Sequence, residues 1–226
     1  MVSVHDVIIK IQVLLLLAWL TLFGCKNNSE KGDSYVYCGG EISNPNNNFV
    51  VLTNPDEESD TIYLDNNNRV IKKFTLAKAG RYTFVHGGEY QRVLLEPSDS
   101  IMVRLNTIDF DESMVFTGEG ARKNNYLIAT FLKNETDNKK FMRMMWDMEP
   151  NKFGEILNDD RDIKLKELKE FLSQKDYSPL FKSIAESNIN YDYYYNKELY
   201  PFGYFEYNAF RLQRFLIDRI DIKLVY

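Results

Sequence analysis

Outside the first 24 residues the chain has one histidine, His86, and its setting decides whether imidazole acid–base chemistry is available. A histidine base needs a serine, cysteine or metal partner within hydrogen-bond reach, and no such partner stands at a recognisable spacing from His86. It precedes Gly87-Gly88, a turn pair, so it is read as a turn-exposed imidazole rather than a catalytic base. Asp56-Glu57-Glu58 and Asp109-Phe110-Asp111-Glu112 carry the hard oxygen ligands that suit calcium. Neither has the glycine and ligand spacing of a loop site, so both read as solvated acidic turns. Asp159-Asp160 read as charge at a helix start, where the helix dipole favours anions. No catalytic residue, metal ligand or cofactor site is assigned on these grounds.

Thiol chemistry is as sparse. Of two cysteines, Cys25 and Cys38, the second lies in the apolar stretch Tyr35-Val36-Tyr37-Cys38 and reads as a buried, inert strand thiol. The chain contains no Cys-x-x-Cys. Its most unusual stretch is Tyr191 to Tyr207, which is dense in tyrosine and includes Phe202 and Phe205. Clustered aromatics can stack sugars or form a protein interface, so Tyr191, Tyr194, Tyr200 and Tyr204 make a candidate binding surface. The competing reading packs them between helices and the remainder of the chain. Met142, Met144, Met145, Met148 and Trp146 form a soft apolar patch of the kind usually found in a core.

A net charge of -5 with no basic stripe argues against nucleic acid as a partner. The amino terminus points to a membrane instead. Lys10 gives a weak positive region, and Ile11 to Phe23 is almost wholly apolar yet too short to span a bilayer comfortably, which needs about 20 residues; a lipoprotein leader is favoured over an uncleaved membrane anchor or an ordinary secretory signal. Leu22-Phe23-Gly24-Cys25 then resembles the lipobox of bacterial lipoproteins, although Phe23 is larger than the usual occupant. That resemblance implies cleavage between Gly24 and Cys25, lipid on the Cys25 thiol, and firm anchoring through several acyl chains. Lys26, rather than the aspartate associated with inner-membrane retention, follows the cysteine, and the resemblance to sorted lipoproteins then implies the outer membrane. Residues 25–33 read as a polar tether.

From 34 to 118 the chain shows eight short β-rich runs: 35–42, 49–53, 61–65, 70–76, 81–86, 92–96, 100–106 and 114–117. Turn residues separate them, notably Asn66-Asn67-Asn68, Ala79-Gly80, Gly87-Gly88 and Pro97-Ser98-Asp99. This grammar predicts an antiparallel β-sandwich or barrel. From 121 to 226 the period becomes helical, with segments at 125–132, 141–148, 163–172, 179–189 and 205–224. Pro150 is expected to stop one helix and Ser178-Pro179 to start another. The fold class is therefore α+β, an amino-terminal β module followed by an α-helical region.

Gly40-Glu41-Ile42, Asp60 to Asp65, Ala79-Gly80-Arg81-Tyr82, Leu94 to Ile101 and above all Phe116-Thr117-Gly118-Glu119-Gly120-Ala121-Arg122-Lys123-Asn124-Asn125-Tyr126-Leu127 resemble the amino-terminal region of TlpA-type, thioredoxin-family lipoproteins. In that family a β module and helical segment precede a thioredoxin fold whose Cys-x-x-Cys exchanges disulfides. No position here matches those cysteines, so no redox role is carried over. The expected function is that of a membrane-anchored cell-envelope lipoprotein with a non-catalytic binding or positioning module, for which an envelope protein is the candidate partner. The alternatives are the amino-terminal part of a thiol–disulfide oxidoreductase, and a carbohydrate-binding surface protein suggested by the tyrosines.

Overall fold

The computed structural model describes residues 35–76 and 78–223, with side chains through Leu212. The leader, the cleavage position at Gly24 and Cys25, and the tether fall outside the described residues.

Alternation of apolar and polar residues makes strands of the first part. In β7 (Ser100–Asn106) Ile101, Val103 and Leu105 point inward while Met102 and Arg104 point out. The other strands are β1 (Tyr35–Ser43), β2 (Phe49–Thr53), β3 (Ser59–Tyr63), β4 (Arg69–Thr75), β5 (Gly80–His86), β6 (Glu89–Leu95) and β8 (Val115–Glu119). They form two four-stranded sheets, ordered β4-β1-β7-β8 and β3-β2-β5-β6, which close on a core of Val36, Ile42, Val50, Leu52, Phe84, Val93, Leu95, Ile101, Val103 and Phe116. The architecture is thus a sandwich rather than a barrel. Pairing is antiparallel except for β1 with β7, which run parallel and are joined by a path that enters the second sheet twice, as β2–β3 and as β5–β6, with β4 between.

The turn residues act as their chemistry requires. Gly87 and Gly88, both at positive φ, form the two-residue loop of the β5–β6 hairpin. Asn68, at φ 58°, closes the β3–β4 turn, where Asp65 Oδ1 accepts from the N–H groups of Asn67 and Arg69.

Three helices follow among the described residues: α1 (Ala121–Met144), α2 (Pro150–Leu172) and α3 (Pro179–Lys223). They are longer than the apolar periodicity predicts. The polar run Lys133 to Lys140 does not separate 125–132 from 141–148 but continues α1, because Asp137 and Asn138 are bonded to neighbouring helices. Pro150 starts α2 rather than ending a helix, since a proline at the first helical position sacrifices no hydrogen bond. Asp159 and Asp160 consequently sit in the middle of α2, not at its start. Segments 179–189 and 205–224 are one helix that runs through Pro201. Ser178 does cap α3, its Oγ accepting from the Phe181 N–H at 3.0 Å.

The passage from β8 to α1 explains the densest part of the sequence. Gly118 and Gly120 have φ of 94° and 88°, and a Cβ at Gly118 would collide with the Ser100 carbonyl oxygen. Gly118→Ala is expected to cost at least about 2 kcal/mol from the left-handed backbone and this clash together, read as a drop in denaturation midpoint. Beyond the turn, Lys123 meets Glu96 at 2.6 Å and Asp99 at 2.7 Å in a buried trio. Asn124 and Asn125 then tie α1 to two strands. Asn124 accepts from the Leu94 N–H at 2.7 Å and donates to the Leu94 carbonyl at 2.9 Å, and Asn125 does the same for Phe116 at 2.8 and 2.8 Å. Each asparagine therefore replaces a missing neighbour strand on an edge residue. Leu94 turns away from the sandwich core and packs with Leu168, Tyr177, Phe181, Ala185 and Ile189, so the helices cover one outer face of the second sheet. A third cluster, Phe141, Met145, Phe153, Leu157 and Tyr200, joins the far ends of the helices.

Candidate functional site

Where the helices leave the sheet uncovered, a groove of about 540 Å³ remains, with walls from β5, β6, α1 and α3. Arg81 and Leu94 are directly opposed in the β5–β6 ladder and Arg92 lies two residues before Leu94, so both arginines project from the sheet face that meets the helices. No described carboxylate lies within ion-pair distance of either. Arg81 Nη1 donates to Asn188 Oδ1 across the groove at 3.3 Å. Burial, and then the charge of Arg92, lower the Arg81 pKa from its ordinary value. Leu127 and Ile128 supply apolar floor, and Phe131 and Tyr191 stand at the lip, 39% and 74% exposed. On the helical wall Asn134, Glu135, Ser187 and Asn188 present polar groups, and Asn134 Oδ1 has no hydrogen-bond partner among the described residues. Asn138 and Gln91 also line the groove, but their amides are committed to Asp192 and Asn196, and to Asp111 and Arg92.

A polar cluster shared by all three helices adjoins the groove through Asp192, which also lines it. Lys164 Nζ, nearly excluded from water, sits 2.8 Å from Asp160, 3.0 Å from Asp137 and 3.4 Å from Asp192. Burial alone would lower the Lys164 pKa; hydrogen bonds with Asp160 and Asp137 and the charges of Asp160 and Asp192 outweigh it, leaving it above the ordinary lysine value. Burial raises Asp192 in spite of its bonds to Asn138 and Lys164. Asp160, which the sequence places at a helix start, therefore serves as an inward ion-pair partner. The paired acids lie on different helices except for Asp160, so their convergence on Lys164 is invisible in the linear sequence.

His86 is not turn-exposed. It is 1% exposed, with Nδ1 donating to the Phe49 carbonyl at 2.8 Å and Nε2 accepting from the Asn46 N–H at 3.1 Å. Both nitrogens are spent on holding the β1–β2 connection against β5, because the final residue of β5 still follows the inward alternation of its strand. Cys38 is buried between the sheets, and burial pushes its thiol up to about 12, opposite to what an attacking thiolate needs. Among the described residues no group of three or more histidine, cysteine, aspartate or glutamate side chains gathers where it could hold a metal ion. Asp111 accepts from Gln91 at 2.9 Å and Phe110 is buried, so that acidic turn is partly an anchor of the sandwich.

The four tyrosines do not share a face. Tyr191 and Tyr194 are exposed, and Tyr191 stacks on Tyr195 at 6.3 Å beside the groove. Tyr200 is buried, stacked on Phe153 at 4.4 Å, with its hydroxyl donating to the Met148 carbonyl at 2.6 Å. Tyr204 stacks on Tyr200 and donates to Glu149. Helical geometry separates them, since residues nine apart lie on opposite sides of α3. Met145 is core, while Met142 and Trp146 are half exposed. Tyr200→Phe is expected to lower stability by about 1 kcal/mol through the lost hydroxyl bond, and Tyr194→Phe by less than about 0.5, both read by urea denaturation.

No protein-family model matches the chain, and no curated protein or solved structure shows significant similarity to it.

Proposed function

We propose that the chain is a cell-envelope lipoprotein, cleaved between Gly24 and Cys25, held by lipid on Cys25 in the outer membrane, whose body is a non-catalytic binding module. The observation that carries the binding role is the groove beneath α1 and α3, with two arginines that no described carboxylate neutralises and polar side chains not committed to the fold. Cys38 and His86, the reactive residue types within the body, are committed to packing and to backbone hydrogen bonds. The lipid anchor rests on the sequence of the amino terminus, and its outer-membrane placement on Lys26.

The binding role is tested with the full-length protein in detergent, screened for thermal stabilisation against millimolar oligosaccharides, peptides and organic anions. A ligand present at 100 times its Kd stabilises the fold by about 2.7 kcal/mol. At least one class is expected to do so, and Ser187→Trp, which fills the groove from an exposed position, should remove the shift while leaving the unliganded melting temperature unchanged. Silence of the wild type across the screen, or stabilisation that survives Ser187→Trp, contradicts the reading.

A further inference from the structure

The chemistry of the groove narrows its ligand, on the premise that the groove is the binding site. Its sheet wall carries two arginines, diagonal neighbours in the β5–β6 ladder. Like charges so placed repel, and within the described residues only Asn188, a neutral amide, answers Arg81 while no carboxylate answers Arg92. A planar anion lying across both would relieve the repulsion and accept charge-assisted bonds. The helical wall offers something different. Asn134, Asn188, Ser187 and Glu135 together present donors and acceptors, the complement of hydroxyl groups that both give and take a hydrogen bond. At the lip Tyr191 is largely exposed and backed on one side by Tyr195, and Phe131 also lines the groove, which gives flat apolar surface suited to the C–H face of a sugar ring.

An extended peptide fits less well, because the usual way for a peptide to use a sheet is to add a strand at its edge. β6 is the edge strand here, and three of its outward backbone groups are already occupied: Asn124 takes both the N–H and the carbonyl of Leu94, and Gln91 Oε1 takes the N–H of Arg92. We propose that the groove binds an acidic saccharide, with a sugar carboxylate on Arg81 and Arg92, ring hydroxyls on the Asn134, Glu135 and Ser187 wall, and a pyranose face against Tyr191.

The test is isothermal titration of the full-length protein in detergent with trigalacturonate, maltotriose, triglutamate and inorganic phosphate. Trigalacturonate is expected to bind, more weakly as salt rises, and to lose at least tenfold in affinity in Arg92→Gln and severalfold in Tyr191→Ala, with the melting temperature of both variants unchanged. Maltotriose should bind at least tenfold more weakly than trigalacturonate. Equal binding of maltotriose removes the arginine role and overturns the proposal. Equal binding of triglutamate makes the partner a peptide, and phosphate binding alone reduces the site to a simple anion site; either overturns it. If trigalacturonate fails while another compound still stabilises the wild type and not Ser187→Trp, the acidic saccharide is wrong and the binding module stands. If nothing binds, both fall.

Discussion

Lys164→Met is expected to destabilise the protein by about 3 kcal/mol at neutral pH, the lower end of the range for breaking a buried ion pair because Asp137 and Asp160 keep some contact with water. The methionine fills nearly the same volume, so the loss reports charge rather than a cavity. Without the ammonium, three carboxylates face one another between α1, α2 and α3, and Asp192 is the most enclosed of them. The deficit should shrink as pH falls, because a protonated Asp192 no longer needs a cation, and its pKa is already raised in the wild type. It should also shrink in Lys164→Met combined with Asp192→Asn. In the wild type the sign for Lys164 runs the other way. Its folded pKa is raised, so its contribution is complete below the unfolded lysine value and disappears as pH rises through the higher folded one, in the alkaline range. Melting curves of the single and double variants from acid to alkaline pH decide this. A single variant as stable as the wild type at pH 7 would mean that the cluster is open to water.

Asn124→Leu is expected to cost about 2–4 kcal/mol, since it leaves the buried N–H and carbonyl of Leu94 without partners and removes the bond to the Gly120 carbonyl. The side chain is 2% exposed, so water cannot substitute. Asn125→Leu strips the same pair of bonds from Phe116, yet Asn125 is only half-buried and solvent can repay part of the loss, so about 1 kcal/mol is expected. Urea denaturation should show the midpoint of Asn124→Leu displaced with little change in slope. Equal effects for the two variants would show that the helix is docked by its apolar contacts and not by these amides.

The sandwich was legible because strands such as β5 and β7 alternate and turns such as Asn68 and Gly87-Gly88 carry residues suited to them. The parallel β1–β7 pair was not legible, since register between strands distant in sequence leaves no local mark. Helix ends were harder. Apolar periodicity detects only the part of a helix that faces a core, so Lys133 to Lys140, which meets other helices through polar bonds, and the aromatic stretch around Pro201 passed for interruptions. The same blindness hid the groove. Arg81 and Arg92 look like ordinary strand residues until the β5–β6 register and the helices above it place them on one wall. Of the tyrosines, Tyr191 could be found by its type, but the difference between it and Tyr200 depends on which side of α3 meets Phe153. His86 misled because a histidine beside two glycines suggests exposure, whereas its position in the alternation of β5 points inward.

The proposed lipid anchor is Cys25, and the intact mass of the native protein extracted from membranes in detergent tests it most directly. The expected polypeptide begins at Cys25 and carries diacylglyceryl and amide-linked acyl chains, with loss of both cleavage and membrane association in Cys25→Ser. An unlipidated mass would contradict the anchoring. A mass larger than residues 25–226 plus lipid by a thioredoxin-sized domain would instead make the sandwich and helices the leading part of a thiol–disulfide oxidoreductase, and the non-catalytic reading would be wrong.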